Sequence, residues 1–409
     1  MLKPDMPASK YVKTFDDWTS ALEAITELPS KNKKLLVIDE FPYMAKANKS
    51  IPSILQNLWD EKLKNENVML VICGSAMRFI ENEILAEKNP LYGRATGIFK
   101  MLEMGFYDAI QFFPNYNCEE KMIAYAILGG IPHYLKQFDD SKSLADNIKE
   151  NILTRGSILY SEVEFLMHQE FRETTMYNTI IEAVALGNTK LNDIFTKTNI
   201  EKSKLSVYIK NLMSLSILQR EFSVDSGLKE RANANRGLYH ITDNFFSFWY
   251  HFVFGNLSEL ESDDVNGIYT YLVAPELAKY TSHKFEDICR QYVRQQNLGN
   301  KLPFRYEKMG RYFDRNVEID IMARSKDKKE FLLGECKFKN SPLNLSDFKK
   351  LKEKFVPPAG VNVYFYLFSK SGFTKDVIKL EEENEESVKL VGLDDLTYGG
   401  KYNILMRGL

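Results

Sequence analysis

Residues 34–40 read KLLVIDE and residues 68–75 read VMLVICGS. Each begins as an apolar run too short and too uniform for an amphipathic helix. Such runs predict buried parallel strands, Lys34–Ile38 and Val68–Cys73. Between them, Ser53–Lys64 places Ile54, Leu55, Leu58 and Leu63 at helical spacing. Strand, helix and strand together predict an α/β layer whose active groups lie at the carboxyl ends of the strands. Asp39-Glu40 and Gly74-Ser75 stand at those ends.

Working outward, 409 residues exceed what one hydrophobic core organises, which predicts about two or three domains. With 44% hydrophobic and 27% charged residues, the chain is neither disordered nor collagen-like. Cys73, Cys118, Cys289 and Cys336 show no paired spacing, which excludes a disulfide framework and a zinc ribbon and fits a reducing compartment. No apolar stretch approaches the roughly 20 residues that cross a bilayer, and Met1–Tyr11 lacks a signal-peptide core. The reading is therefore cytoplasmic, with no membrane partner. A net charge of −2 does not by itself advertise nucleic-acid binding.

From Glu119 to His168 the pattern turns helical, broken by Gly129-Gly130-Ile131-Pro132. Helices are predicted at Thr175–Leu186, Leu191–Thr198 and Lys202–Leu215, then strands at Ile217–Phe222 and Gly237–Thr242. Three helices and a hairpin follow the winged helix-turn-helix order. The aromatic run Phe245–Phe254 predicts an inter-domain helix, and acidic Glu259–Asp264 a linker. The remainder predicts a helix at Pro275–Gln296, strands at Phe304–Lys308, Asn316–Ala323 and Glu330–Phe338, a helix at Leu345–Phe355 and a strand at Val361–Ser369.

Three sets of residues could carry chemistry. In P-loop nucleotidases, a strand like LLVIDE sets an Asp beside the nucleotide's Mg²⁺, and the next Glu polarises the attacking water. Asp39 and Glu40 fit those places, and Ser75 could orient that water; the bland alternative is a buried strand with an acidic turn. The chain has no G-x-x-x-x-G-K-[ST], so the phosphate cradle is missing from it.

The second set is Asp320, Glu335 and Lys337, in the pattern D-x14-E-x-K. Period-two alternation puts Glu335 and Lys337 on one face of a strand, and a hairpin can bring Asp320 beside them. Two carboxylates in an apolar-walled cleft suit a hard cation such as Mg²⁺. Lys337 could orient or activate a water, or steady the charge of a scissile phosphate. Glu286, on the preceding helix, could supply a further acid. The alternative is a surface hairpin with scattered charge, disfavoured because unpaired charges inside an apolar run are costly.

The third set is basic. Lys202, Lys204 and Lys210 lie on the third helix of the winged unit, and Lys229, Arg231 and Arg236 in the adjoining loop. They suit phosphate contacts, with Ser203, Ser206 and Tyr208 near a groove. The alternative is a solvated face of a protein–protein module. The five histidines show no metal-ligand spacing.

Together these motifs resemble a family of prokaryotic AAA+ proteins, STAND-like "archaeal ATPases", with a winged helix and a C-terminal DUF234 domain of the PD-(D/E)XK nuclease superfamily. LLVIDEFPY resembles its Walker B segment, ICGSAM its sensor-1 strand and NPLYGRATG its Arg-bearing loop. LGGIPHYL resembles the opening of its helical lid, and EIDIMA…GECKFK its nuclease core. The resemblance implies an ATPase core remnant at 1–118, a lid at 119–170, a winged helix at 171–245, a linker helix at 246–266 and a nuclease-like domain at 267–409. It further implies Asp39 for Mg²⁺, Glu40 as base, Ser75 as sensor, and Arg94 as arginine finger or nucleotide-sensing residue. Asp320 and Glu335, with Glu286 as helix acid, would bind the nuclease metal, and Lys337 would assist attack. Family members begin with a strand, a P-loop and a helix, and this chain starts after them. A truncated gene, a wrong start codon and a degenerate paralogue are the alternatives.

The leading expectation is an ATPase homologue coupled to DNA binding and to DNA cleavage with Mg²⁺ or Mn²⁺, using ATP only where a P-loop is supplied. Expected partners are DNA and a second copy of the chain. The alternative is a non-enzymatic DNA-binding regulator or scaffold with relic ATPase and nuclease folds; a third reading borrows the P-loop from a partner chain.

Overall fold

The computed structural model describes residues 14–27, 30–74, 80, 84, 86–232, 236–314 and 316–399. The chain is mixed α/β and divides into two compact units, Met1–Met101 and Leu102–Leu409.

In the first unit, α1 (Trp18–Glu27) precedes β1 (Lys34–Ile38), followed by α2 (Phe41–Ala47), α3 (Ile51–Glu61) and β2 (Val68–Ile72). The strands pair in parallel, with Lys34 opposite Val68 and Ile38 opposite Ile72. The single helix predicted between them is two, each carrying a proline in its first turn, where a fixed φ and a missing N–H cost nothing. Leu22, Ile38, Phe41, Ile51, Leu55 and Leu58 form the core.

Burial on both faces of these strands is corrected. Leu35, Val37 and Met69 are 64%, 50% and 52% exposed. Pleating sends alternate side chains to opposite faces, and in β1 Leu36 and Ile38 take the face that packs with Leu55 and Leu58.

The first long helix of the second unit is α4 (Cys118–Leu128), started by a capping box between Asn117 and Glu120. The Gly-Gly break that follows has a steric cause. Gly129 adopts φ 65°, and a Cβ on Gly130 would lie 1.8 Å from the Met104 carbonyl oxygen. The backbone of Gly130 instead accepts a hydrogen bond from the Met104 N–H at 2.9 Å. After α5 (Ile158–Glu170) come α6 (Thr175–Ala185), α7 (Leu191–Thr198) and α8 (Lys202–Ser214), then the antiparallel strands β3 (Leu218–Glu221) and β4 (Leu238–Ile241). These match the predicted elements to within the usual uncertainty of element ends.

The aromatic run is α9 (Asn244–Phe252), capped by Asp243, whose Oδ1 accepts the Phe245 and Phe246 N–H groups at 2.7 and 3.1 Å. Phe245, Phe248, Trp249, Tyr250 and Phe252 are almost fully buried. The acidic stretch read as a linker is folded: Leu257–Glu261 is helical and Leu260 is fully buried. Its apolar positions outweigh its charge.

A 25-residue helix, α10 (Ala274–Leu298), leads into the principal sheet. Its strands are β5 (Lys308–Phe313), β6 (Glu318–Arg324) and β7 (Glu330–Lys337), then β8 (Asn362–Ser369) after α11 (Leu345–Glu353), and finally β9 (Val388–Val391) after α12 (Lys375–Glu383). The order is β5-β6-β7-β8-β9, antiparallel through β7 and parallel beyond. The predicted strand Phe304–Lys308 ends where β5 begins. Phe304 and Tyr306 pack against the larger core instead, and the Tyr306 N–H donates to Asn297 Oδ1 at 3.1 Å.

Hydrophobic cores cover both faces of the sheet, so Leu332 faces one and Phe331 and Leu333 the other. The chain leaving β3 also joins this sheet. The Val224 N–H donates to the Arg311 carbonyl at 2.9 Å, the Phe313 N–H to Ser223 Oγ at 3.1 Å, and Val224 packs with Ile319 and Met322.

Candidate functional site

The densest polar cluster centres on β6, β7 and α10. Ile321 pairs with Gly334, which carries Asp320 and Glu335 to adjacent places on neighbouring strands. A side chain on Gly334 would press against Ile321, its Cβ at 2.9 Å, so the close approach needs glycine. Asp320 Oδ2 accepts the Cys336 N–H at 2.7 Å. Glu335 is only 5% exposed, and both of its oxygens accept from ammonium groups: Oε1 from Lys337, Oε2 from Lys354 at 3.0 Å.

From α10, Arg290 donates to the Asp320 carbonyl oxygen at 3.3 Å and lies 3.8 Å from Glu286, one turn earlier. The hairpin adds a further layer. His240 meets Glu221 at 3.0 Å, and Arg311 approaches Glu221 at 4.0 Å while binding Glu318.

Burial sets the electrostatics. It pushes the Glu286 carboxyl up to about 7, reinforced by the negative charge of Asp320. Asp320 is raised for the same reason, first by burial and then by Glu335. Burial pulls the Lys337 ammonium down, but the hydrogen bond and charge of Glu335 outweigh it, so the group stays firmly protonated. A buried and a half-buried carboxylate repelling each other, beside cations, are chemically suited to a hard divalent ion. Among the described residues, no three His, Cys, Asp or Glu side chains converge as a ready-made metal cage.

The structure thus brings Asp320, Glu335 and Lys337 together; Glu286 lies within electrostatic reach of Asp320, beside Arg290, but among the described residues does not join the two carboxylates in a metal-binding set, which corrects its reading as a third metal ligand. Sequence reasoning missed Lys354, Arg290 and the Glu221–His240–Arg311 layer. Arg290 could have been found, since it follows Glu286 by one helical turn. Lys354 has no spacing signal, because it reaches Glu335 only through the packing of α11 against β7.

In the first unit, Glu40 adopts a left-handed φ of 48° immediately before α2. Asp39 is exposed; its Oδ1 accepts the Glu40 N–H at 2.9 Å and the Cys73 thiol at 3.2 Å, an interaction that raises the thiol's pKa ahead of burial. Ser75 lies outside the described residues. Arg94 is tied to Asp60 through Nε at 3.1 Å and Nη2 at 2.7 Å, and Nη1 donates to the Pro90 carbonyl.

The basic residues are dispersed. Lys202, Lys204 and Lys210 are all exposed on α8, but at 100° per residue Lys204 and Lys210 stand about 120° apart. Lys202 lies over the Phe195 ring at 4.9 Å, and Arg231 stacks on Phe222 at 5.7 Å. Lys229 and Arg236 are exposed, and the Arg236 carbonyl accepts from Arg220. Among the described residues, no helix is long and apolar enough to cross a membrane.

A model described as "ATPase domain predominantly from Archaea" matches residues 4–138, and DUF234, "Archaea bacterial proteins of unknown function", matches 249–352. These define the chain as an ATPase-family protein with a DUF234 segment. It belongs to the family represented by the uncharacterized protein MJECL04 of Methanocaldococcus jannaschii. That relative is 31% identical over 398 residues, 96% of this chain and 84% of the relative. A second uncharacterized protein of that organism, MJ0424, is 41% identical over 44 residues, 11% of this chain and 43% of its own. The crystal structure of protein VC1899 from Vibrio cholerae aligns over 90% of this chain and 89% of its own at 12% identity. Its TM-score is 0.20, too slight to define a fold.

Proposed function

We propose that this ATPase-family protein binds DNA and cleaves it with Mg²⁺ or Mn²⁺, using the β6–β7 site in a PD-(D/E)XK-like domain. The observation carrying this reading is the pairing of Asp320 with Glu335 across β6 and β7, with Lys337 bonded to Glu335 and Glu286 within electrostatic reach of Asp320. Asp320 and Glu335 would hold the ion, which supplies Lewis-acid polarisation of the phosphate. Lys337, kept protonated by Glu335, would steady charge building on a phosphoryl oxygen. Lys354 shares the Glu335 carboxylate and keeps it oriented. Glu286, with its raised pKa, can hold or release a proton near neutrality.

The three helices and hairpin at 175–241 act in this reading as a winged helix that presents Lys202, Lys204, Lys210, Lys229, Arg231 and Arg236 to phosphates. Asp39, Glu40, Ser75 and Arg94 would serve nucleotide and Mg²⁺, with ATP bound once a P-loop is supplied, within a homo-oligomer. The test is a plasmid-nicking assay with Mg²⁺ or Mn²⁺. Wild-type protein nicks, and Lys337→Ala loses at least about 100-fold of the rate. Equal cleavage by the variant rejects the assignment.

A further inference from the structure

Beside the hairpin, β5 and α10 lies a cleft of about 500 Å³. Its wall includes Phe222, Arg231, Arg294, Tyr306 and Lys308. Among the described residues, none of these three cations pairs with a carboxylate, and all three are exposed. Tyr306 is part-buried, hydrogen-bonded with Arg294, and lines the cleft, whereas the Phe222 ring is already covered by Arg220 at 4.7 Å and Arg231 at 5.7 Å. Cations that no carboxylate neutralises, beside a fixed aromatic ring, make a chemical pattern: phosphates on the cations, an unstacked base on the ring. A compact acidic metabolite would use the cations alone and leave the ring idle.

The cleft also has a direction. Glu221 and Arg311 line it, and the same two side chains act electrostatically on Glu286, the helix acid of the candidate centre. The wall is held in place, since Val224 is buried in the sheet's core and its N–H is bonded to the Arg311 carbonyl. A strand lying in the cleft would therefore run along a rigid surface that borders the β6–β7 cluster.

We infer that this cleft binds single-stranded nucleic acid, taking backbone phosphates on Arg231, Arg294 and Lys308 and an unstacked base on Tyr306. This rests on the nucleic-acid reading above and specifies the form of the nucleic acid: a melted strand rather than intact duplex. The cleft is a binding surface, distinct in role from the carboxylates that would perform cleavage.

The experiment uses the full chain and a fluorescein-labelled oligothymidylate of eight nucleotides, followed by anisotropy in EDTA so that cleavage cannot intervene. Wild-type protein binds saturably, and more tightly than it binds a duplex of equal length. Arg294→Ala with Lys308→Ala weakens binding about tenfold and flattens the salt dependence by roughly one to two in log–log slope. Tyr306→Leu weakens it at least about fivefold, whereas Tyr306→Phe, which keeps the ring, binds as wild type. Thermal melts of each variant show that the fold is retained, and the exposed Arg294 and Lys308 changes supply the test should Tyr306→Leu not fold.

No saturable oligonucleotide binding, unchanged affinity in the double variant, or equal preference for duplex overturns the inference. Metal-dependent nicking provides the separate reading. Loss of oligonucleotide binding in the variants of a protein that nicks nothing upholds the cleft and rejects the nuclease. Nicking by a protein whose cleft variants bind as wild type does the reverse.

Discussion

Both units place acidic residues on or just beyond a strand, yet they build very different surroundings. Asp39 and Glu40 follow a two-stranded parallel pair whose Leu35, Val37 and Met69 face outward. Asp320 and Glu335 lie inside a five-stranded sheet covered on both faces, and Glu335 is 5% exposed between two lysines. Burial raises a carboxyl's pKa only where neighbouring layers exclude water, as at Asp320, whereas the exposed Asp60 is lowered by its hydrogen bond from Arg94. The strand motif supplies position, and the layers around it supply chemistry.

The sharpest way to break this comparison is to remove the buried carboxylate. Glu335→Leu leaves Lys337 and Lys354 without their shared partner, and with both lysines partly exposed the cost is about 3 kcal/mol in chemical denaturation. A loss below about 0.5 kcal/mol would show that the cluster is no more enclosed than Asp39. Next is the 100-fold loss of nicking in Lys337→Ala, near 2.7 kcal/mol of barrier.

A third measurement uses Asp243, which caps α9 while burial pushes its carboxyl up to about 7. Its folded pKa is above the usual carboxylate value, so its protonated form stabilises the fold at low pH. That contribution is lost as pH rises from about 4 through 7. Asp243→Asn keeps an oxygen for the cap and removes the charge. Between pH 5 and pH 8 the variant therefore loses roughly 2 kcal/mol less stability than wild type, and parallel profiles would show that the carboxyl stays hydrated. The smallest effect is expected in the first unit. Arg94→Ala breaks the partly exposed pair with Asp60 and lowers that unit's stability only slightly in chemical denaturation. A larger loss would mean that Arg94 holds the loop as firmly as the buried cluster holds Glu335.

Much was legible before any coordinates. Apolar runs located β1 and β2, the order of α6 to β4 followed helical and alternating periodicity, and charges interrupting an apolar strand marked Glu335 and Lys337. The acidic stretch around Glu259 misled because its charge was visible while the burial of Leu260 was not. Lys354 escaped because its partner lies on another element and no regular spacing links them.

What the sequence determined by itself was local: periodicity chooses helix or strand, glycine and proline punctuate them, and unusual charges mark candidate chemistry. The tertiary structure alone decided that β1 keeps one face open, that residues 223–224 dock on the edge of β5, and that a second lysine reaches Glu335. Those outcomes depend on which surfaces meet across long separations in the chain. Burial, dielectric environment and partner choice are properties of such meetings, and no single segment contains them.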